Sequence, residues 1–316
     1  MTSRVKQQVS DRILSFRFEK ETPERLDKFL VEQLQEFSRS RIQGLVLDGF
    51  VEVNGHPAKK AGQTIESGSN VTVRIPPATP TDLIAEEIPL DILFENDDLL
   101  VINKPAGMVV HPAAGHASGT LVNAVLGYDP EIEGIGGEER PGVVHRLDKE
   151  TSGVILLAKN ERAHRWLQDQ FRLREVVKTY LALVDGKPPT PSGRVEAPVG
   201  RDPSHRKRMA IVPESRGREA ISEYKTLESF KSHTLLEFHP LTGRTHQIRL
   251  HCAFLGCPIV GDGIYGRKKP TIKIDRHFLH ARSLQILLPG EEKPRFFEAP
   301  LPEELEQVLT SLRNEY

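Results

Sequence analysis

The chain has 316 residues, a length that suggests two domains and allows a sizeable hydrophobic core. Hydrophobic residues make up 38% and charged residues 28% of the sequence, as is ordinary for a soluble protein. The net charge of −1 excludes a nucleic-acid binder that is basic overall, so any contact with phosphates must come from local patches.

The N-terminus and the cysteines indicate a cytoplasmic protein. The first twenty residues are charged and lack the apolar core of a signal peptide, and no apolar run approaches the roughly 18 residues of a membrane span. Cys252 and Cys257 are the only cysteines, which is too few for a disulfide framework. We therefore expect a chain that works in a reducing compartment.

A compact module is predicted over residues 22–76. The pair Thr22-Pro23 is typical of a helix N-terminus, and a second helix is expected to end at Gly49. An Asn-Gly pair at residues 54–55, between two short strands, predicts a β-hairpin, and the segment VTVRIP predicts a further strand. The apolar face of the first helix would consist of Leu26, Phe29, Leu30 and Leu34.

Four basic residues of this module are candidates for contact with RNA. Arg39 and Arg41 lie in the first turn of the second helix, and Lys59 and Lys60 lie on the hairpin. By themselves such charges most often only solvate a surface. However, the segments RLDKFL and SRSRIQGLVLDGFVEVNG, with the strand that follows, resemble the S4 RNA-binding module in both residues and order of elements. The resemblance implies that these four side chains face RNA phosphates.

The rest of the chain is expected to form a second domain. A proline-rich polar segment predicts a linker, which divides the chain into residues 1–78 for the S4-type module, 79–90 for the linker and 91–316 for the second domain. Strand patterns there outnumber helix patterns and do not alternate regularly with them. This favours an α+β domain with a mixed, mainly antiparallel sheet flanked by helices and loops. Helices are expected at residues 121–126, 161–173, 245–256 and 302–315.

Motifs for bound cofactors are absent from the sequence. The glycine-rich segment GIGGEERPG has no lysine-hydroxyl ending and no strand-loop-helix frame, so it is not a nucleotide-binding loop. The histidines show no recognised zinc spacing, and HRLD differs from the kinase motif HRD in the position of its acid. We therefore expect neither a metal nor a cofactor.

Asp148, in the segment HRLDKETSG, is the first candidate for chemistry. The segments GVV before it and SGVILLAK after it are expected strands, so the acid would lie in a loop between two strands. Thr151, Ser152 and Gly153 could donate hydrogen bonds to that loop. From the residues alone, the carboxylate could be an ion-pair partner, a metal ligand, a proton carrier or a nucleophile.

Two further segments could supply partners for this acid. In PLTGRTHQIRLH, Arg244 is expected in the first turn of a helix on which His246 and Arg249 share a face. Arg249 could be a planar, bidentate partner of a carboxylate, although a surface salt-bridge helix has the same spacing. Tyr180 lies in an apolar strand with Lys178 close by, and such a tyrosine is most often a core residue.

The segments NKPAGMVVHP, HRLDKETSGVILLAK, KTYLALV, LTGRTHQIRLH and GDGIYG resemble the RluA/RluD family of pseudouridine synthases. A preceding S4 module is the arrangement of the D-type enzymes of large-subunit ribosomal RNA. The resemblance implies isomerisation of specific uridines to pseudouridine in that RNA, without a cofactor. Asp148 would be the essential carboxylate acting on a flipped-out uridine, and Arg249 would pair with it. Tyr180 would stack on the base and help to remove the proton from the carbon that forms the new bond.

The same resemblance suggests which residues bind the RNA. Arg146 would fill the space that the base vacates, and Asn103 and Lys104 would line the RNA path together with the basic segment SHRKR. Arg244 and His246 complete the set of candidate substrate-binding residues. The expected partner is ribosomal RNA or a pre-ribosomal particle, with no membrane, and the protein is expected to be a monomer.

Two other functions are compatible with parts of this pattern. A non-catalytic RNA-binding or ribosome-assembly factor could share the fold, but it would be expected to have lost the acid of HRLD. A glycoside or nucleoside hydrolase needs a pair of carboxylates, for which Glu150 could be the second member. An isomerase leaves the mass of the RNA unchanged and creates a carbodiimide-reactive base, whereas a hydrolase releases free uracil.

Overall fold

The computed structural model describes residues 12–34, 37, 39–75, 83–112, 116–132, 134–136, 141–205 and 208–315, and only the backbone at residues 40 and 41. Within these ranges one hydrophobic core lies between residues 14 and 75. Two larger cores lie between residues 90 and 312. No helix in the described ranges is both long enough and apolar enough to cross a membrane.

The first core is covered by a four-stranded antiparallel sheet and two helices. In chain order the elements are β1 (Arg12–Arg17), β2 (Glu24–Arg25), α1 (Leu26–Gln33), α2 (Arg39–Leu47), β3 (Val51–Val53), β4 (His56–Pro57), β5 (Thr64–Ile65) and β6 (Asn70–Ile75). The strand order is β1-β6-β3-β4, and β2 pairs with β5. Asn54 and Gly55 have φ values of 52° and 77°, as the turn of a tight hairpin requires, so the predicted hairpin is confirmed.

The start of α1 and the presence of β1 differ from expectation. The helix begins at Leu26 and not at Thr22-Pro23, because Glu24 and Arg25 are extended and pair with β5. Strand β1 carried no recognised motif, yet it pairs with β6 along its whole length. Of its side chains only Leu14 and Phe16 pack against the core, an alternation too short to stand out in the sequence.

The second part of the chain forms a nine-stranded sheet with helices and loops around it. In chain order the elements are β7 (Ile92–Glu95), β8 (Leu99–Lys104), α3 (Leu121–Tyr128), β9 (Ser152–Ala158), α4 (Glu161–Leu173), β10 (Val177–Asp185), β11 (Ser192–Glu196), β12 (Val199–Arg201), β13 (Met209–Ile211), β14 (Ile221–Ser229), β15 (His233–Pro240), α5 (Gln247–Phe254), β16 (Leu279–Ile286), β17 (Arg295–Glu298) and α6 (Glu303–Asn314).

The large sheet is mixed and mainly antiparallel, as the sequence predicted. Its strand order is β11-β14-β15-β10-β16-β9-β8-β7, with β17 on β16, while β12 and β13 form a separate ribbon. Strands β9 and β16 run parallel, and the other pairs in the sheet are antiparallel. Together with the flanking helices this confirms the α+β class.

Two predicted elements next to the candidate acid are not formed as expected. Val143 makes only an isolated bridge to Leu157, so the loop that carries Asp148 is not flanked by a strand on its N-terminal side. Helix α5 begins at Gln247 and not at Arg244, because His246 has a left-handed backbone with φ of 59° that a continuing α-helix cannot include.

The C-terminal half of the predicted linker is attached to the second part of the chain. The side chain of Asn123, in α3, donates to the carbonyl oxygen of Ile84 at 2.7 Å. The Glu86 carboxylate accepts from the backbone N–H of Gly119 at 2.8 Å, just before α3 begins. Residues 83–91 therefore form no regular element, yet hydrogen bonds hold them against α3.

Candidate active site

A cavity of about 430 Å³ opens between the loop that carries Asp148, the end of α4, strand β10 and the segment that leads into α5. Asp148 is the only carboxylate among the described residues that line it. The basic side chains that line the same cavity are Arg146, Arg172, Lys178, Arg244 and Arg249. A single acid thus stands among several cations, an arrangement suited to a polyanionic ligand.

Arg249 connects Asp148 to a second acid, Asp262. Its Nη1 donates to Asp148 Oδ2 at 3.2 Å, while its Nε and Nη2 donate to the two oxygens of Asp262 at 2.7 and 2.9 Å. The expected bidentate pairing therefore exists, but Asp262 and not Asp148 is the bidentate partner. Asp148 is held through one oxygen, and its side chain stays 17% exposed toward the cavity.

Asp262 is the member of this charge cluster that sequence reasoning missed, although it lies in the motif GDGIYG. Its side chain is fully buried and also accepts the backbone N–H groups of Ile264 and Tyr265 at 2.9 and 3.1 Å. Burial by itself raises the pKa of Asp262, but the hydrogen bonds from Arg249 and the backbone outweigh it and lower the pKa below its usual value. The available signal was the donor count of Arg249, because a buried guanidinium needs more acceptors than one partly exposed acid offers.

His246 approaches Asp148 from the same direction as Arg249. Its Nε2 lies 4.0 Å from Asp148 Oδ2, and its Nδ1 lies 2.8 Å from the hydroxyl of Tyr265. Burial lowers the pKa of His246, against the opposing effect of Asp148. The left-handed backbone at His246 turns the chain so that this ring and Arg249 of α5 meet at one carboxylate oxygen. The two side chains thus come together, but not on one face of a helix as predicted, because His246 precedes α5.

Tyr180, on β10, lines the cavity and also packs against the two large hydrophobic cores. A register shift in the pairing of β10 with β16 falls between Thr179 and Tyr180. Burial and the nearby Asp148 charge raise the pKa of Tyr180 well above its usual value. The side chain is therefore a neutral phenol at physiological pH, and it combines the core position expected from its strand with access to the cavity.

Lys104 does not line an RNA path, which corrects the sequence prediction. Its side chain is fully buried, and its ammonium group donates to the carbonyl oxygens of Pro105, Met108 and Lys149 at 2.7, 2.8 and 3.2 Å. Burial lowers the pKa of Lys104 to about 7. Because Lys149 directly follows Asp148, the lysine holds the loop that carries the acid. Asn103 binds the Asp91 carboxylate at 2.8 Å and is not part of the cavity wall.

Arg146 and Arg244 both lie in the cavity wall, as a substrate-binding role requires. Arg146 is exposed and makes no hydrogen bond or ion pair within the described part of the chain. Arg244 donates through Nε to the carbonyl oxygen of Glu219 at 2.9 Å. In the basic segment SHRKR, residues 206 and 207 lie outside the described residues.

The basic residues of the S4-type module have different surroundings. Arg39 donates two hydrogen bonds to buried Asp27, at 3.2 and 2.8 Å, while its side chain remains 59% exposed. Lys59 and Lys60 are exposed and follow β4, and the side chain of Arg41 lies outside the described part. Arg39 is thus committed in part to an internal ion pair, and the contact of all four residues with RNA stays a prediction.

Glu150, the second acid that a hydrolase would need, faces a different cavity. That cavity, of about 580 Å³, is lined by Glu150, Arg276 and residues of α6, and it does not include Asp148. No group of three or more potential metal-binding acids, histidines or cysteines occurs among the residues that the structure describes.

Comparison with known proteins places this site in a family. The family model described as RNA pseudouridylate synthase matches residues 98–254, and the S4 domain model matches residues 24–71. A Chloroflexus aurantiacus protein described as an uncharacterized RNA pseudouridine synthase is 48% identical over 93% of this chain and 92% of its own. The ribosomal large subunit pseudouridine synthase D of Xanthomonas campestris is 41% identical over 92% of this chain and 89% of its own.

A solved structure agrees with these sequence relatives. The structure of human RNA pseudouridylate synthase domain containing 4 has 30% sequence identity and a TM-score of 0.57, and the match covers 70% of this chain and 92% of the human chain. Both the fold and the sequence of the second domain are therefore those of enzymes that isomerise uridine in RNA. The chain belongs to the RNA pseudouridine synthase family and joins an S4 domain to the catalytic domain of that family.

Proposed function

We propose that this enzyme converts specific uridines of large-subunit ribosomal RNA to pseudouridine and that Asp148 is its essential carboxylate. The observation that carries the assignment of Asp148 is its position as the only acid among the described residues of the 430 Å³ cavity. Several relatives named ribosomal large subunit pseudouridine synthase D, 39–42% identical over most of the chain, support the choice of RNA.

The chemistry of the reaction fits a single, held carboxylate. The enzyme must break the bond from ribose to the uracil nitrogen, turn the base and rejoin it through carbon, with no redox change and no external group. A carboxylate can serve such a reaction as a nucleophile or as a base. Arg249 binds only Oδ2 of Asp148, so the other oxygen has no hydrogen bond from the described residues and is available to the substrate.

The other cavity residues fit the handling of a flipped-out uridine. The ring of Tyr180 can stack on the base, and any proton transfer at its hydroxyl starts from the neutral phenol because its pKa is raised. Arg146 is exposed at the cavity wall and makes no ion pair within the described residues, so it is free to occupy the space that the base vacates in the RNA.

A hydrolase is the less favoured alternative. It requires two carboxylates on either side of the scissile bond, whereas Glu150 lines another cavity. The two reactions differ in their products, because an isomerase keeps the mass of the RNA while a hydrolase releases uracil. Mass spectrometry of RNA treated with the enzyme separates them.

The central experiment replaces Asp148 with asparagine, which removes the charge and keeps the shape. We expect Asp148→Asn to form no detectable pseudouridine in ribosomal RNA transcripts, measured by carbodiimide labelling, while its Kd for the RNA stays within about threefold of the wild type. Asp97→Asn is the matched control, because Asp97 is exposed in the turn between β7 and β8 and does not line the cavity. Wild-type turnover by the Asp148 variant would refute the assignment.

The choice of RNA needs a separate test in cells. Pseudouridines in ribosomal RNA should be mapped in cells that lack this protein and in the same cells carrying the wild type or Asp148→Asn. We expect specific sites in large-subunit RNA to disappear and to return only with the wild type. An unchanged large-subunit map would overturn the proposed substrate without affecting the assignment of Asp148.

A further inference from the structure

Lys178 is a cation in the active-site cavity that the chemistry above does not use. It lies on β10 and lines the cavity together with Tyr180. Its ammonium group makes no hydrogen bond or ion pair with any side chain in the described ranges, and it lies 6.0 Å from the centre of the Phe171 ring. Burial lowers the pKa of Lys178 to about 8, so the ammonium form is the main one at neutral pH.

The other buried or half-buried cations of the cavity, Arg249 and Arg244, have partners, and of the two exposed ones Arg172 is paired whereas Arg146 faces solvent without a partner among the described residues. Arg249 binds Asp148 and Asp262, Arg244 binds a backbone carbonyl, and Arg172 binds the Asp169 carboxylate at 2.9 and 3.1 Å. The Lys178 side chain is half-buried, and a charge that is partly withdrawn from water without a partner opposes folding, so proteins usually pair or neutralise such groups. The missing partner of Lys178 is therefore expected to come from the ligand.

Among the described residues that line the cavity the one acid is Asp148, and it binds Arg249 and not Lys178. The His145 ring stacks on Phe171 with the ring centres 4.8 Å apart, and its Nε2 accepts the backbone N–H of Leu156 at 3.0 Å. Burial and the Lys178 charge lower the pKa of His145 to about 3, so the imidazole is neutral. Phe171 and the neutral His145 form an apolar wall beside the ammonium group.

The position of Lys178 indicates which part of a nucleotide it meets. Asp148 lies on the side of the cavity formed by α5, through Arg249, whereas Lys178 lies beside Phe171 on the side formed by α4. Uracil and ribose are uncharged, and the permanent anions of RNA are its phosphates. A uridine with its glycosidic bond at Asp148 would therefore direct a charged group toward Lys178 only through a neighbouring phosphate.

We propose that Lys178 binds a backbone phosphate that flanks the flipped-out uridine and thereby sets how deeply the nucleotide enters the cavity. The proposal rests on the proposed function, since it takes Asp148 as the group that meets the ribose or base. It adds a specific anion site to that function and makes Lys178 a substrate-positioning residue.

The test compares Lys178→Met and Lys178→Arg with Lys187→Met. Lys187 is an exposed lysine that follows the same strand and does not line the cavity, so its variant makes the same change of charge elsewhere. The probe is a ribosomal RNA fragment that contains a uridine modified by the wild type. We expect Lys178→Met to raise Kd at least tenfold, with a smaller loss of rate at saturation and a salt dependence of Kd reduced by about one phosphate contact. Lys178→Arg should recover most of the affinity.

A second arm removes the phosphate charge instead of the lysine. Fragments with a neutral methylphosphonate on either side of the target uridine should show one position where the wild type loses the same factor in Kd. At that position the methylphosphonate should not weaken the binding of Lys178→Met any further, because the lysine substitution and the neutral phosphate each remove the same interaction. Equal losses in wild type and variant at both positions would overturn the proposal.

Two other results would also overturn it. One is an unchanged Kd for Lys178→Met, and the other is a loss confined to the rate at saturation, which would place the ammonium group at the base. Because the lysine has no hydrogen-bond or ion-pair partner among the described residues, its removal should not lower the melting temperature. The methylphosphonate arm can also be read with the wild type and Lys178→Arg alone. Failure of the proposed function appears separately, as turnover by the Asp148 variant.

Discussion

Replacing Asp262 with asparagine should destabilise the catalytic domain by about 3–5 kcal/mol, as expected when one partner of a buried ion pair is removed. Asp262 is fully buried and accepts four hydrogen bonds, two from Arg249 and two from backbone N–H groups. Asparagine keeps one acceptor oxygen, but its amide group would face an Arg249 N–H donor. The guanidinium would then be left buried with Asp148 as its one charged partner.

The same substitution should slow catalysis. In the wild type Asp262 takes two of the donor groups of Arg249, and this leaves Asp148 bound by Nη1 alone. Without the Asp262 charge the guanidinium is expected to turn toward Asp148 and to cover the oxygen that the substrate needs. We expect a fall of at least tenfold in kcat, roughly 1.4 kcal/mol in activation free energy, with a smaller change in RNA affinity.

A surface pair provides the control for the stability measurement. Arg313 binds Glu228 through two nitrogens at 3.1 and 2.8 Å, with the same fork geometry but with both side chains partly exposed. Glu228→Gln should cost less than about 1 kcal/mol, as is usual for surface pairs. Urea titration followed by circular dichroism measures both variants. If Asp262→Asn lost no more stability than Glu228→Gln, burial of the Asp262 pair would not have the assigned effect.

The pH dependence of this difference has a definite sign. The pKa of Asp262 is lowered in the folded protein from its usual 3.8. As the pH falls toward this usual value, the unfolded state therefore takes up the proton first, and the folded state binds fewer protons. The stabilisation is complete above about pH 5 and is lost as the pH falls through the folded-state pKa. The stability gap between the wild type and Asp262→Asn should therefore narrow on acidification and stay constant between pH 6 and 8.

Two further substitutions test the support of the Asp148 loop. Gly153→Ala should lower the free energy of unfolding by at least about 2 kcal/mol, because Gly153 has φ of +113° and a Cβ would stand 2.1 Å from a carbonyl oxygen of β16. The control is Gly44→Ala, in open space on α2, which should instead stabilise its domain by about 0.5–1 kcal/mol. Similar changes in melting temperature for both variants would contradict the argument. Lys104→Met leaves three carbonyl oxygens without their donor, which costs roughly 1–3 kcal/mol of stability each and is offset in part by the removal of a buried charge. We therefore expect a lower melting temperature and a reduced kcat. Wild-type values of both would refute the role of Lys104 in holding the loop.

Several elements could be read from short stretches of sequence because their causes are local. The hairpin at Asn54 and Gly55 follows from two residues that tolerate positive φ, and α4 follows from the apolar spacing of residues 161–173. Helix α1, by contrast, starts three residues later than its cap signal suggests, because Glu24 and Arg25 pair with β5, about forty residues away in the chain. Pairing with a distant strand leaves no mark near the helix start.

The candidate site divides in the same way. The motifs singled out Asp148, Tyr180 and Arg249 individually, and the family resemblance gave them roles, which stay predictions until the variants are measured. The motifs could not show that Arg249 uses its fork on Asp262 and leaves Asp148 one hydrogen bond. They also placed Lys104 in contact with RNA, although it is fully buried.

The sequence by itself determined the fold class, the order of most strands and helices, and the segment that carries the acid, because these depend on periodicity, turn residues and motifs along the chain. Only the tertiary structure decided how the charges are shared. Arg249 and Asp148 are 101 residues apart, and the partners of a buried charge are selected by burial and distance in space. The same reason explains why Lys178 stood out only once its surroundings were known. It is the half-buried cation of the cavity wall that has no hydrogen-bond or ion-pair partner among the described residues.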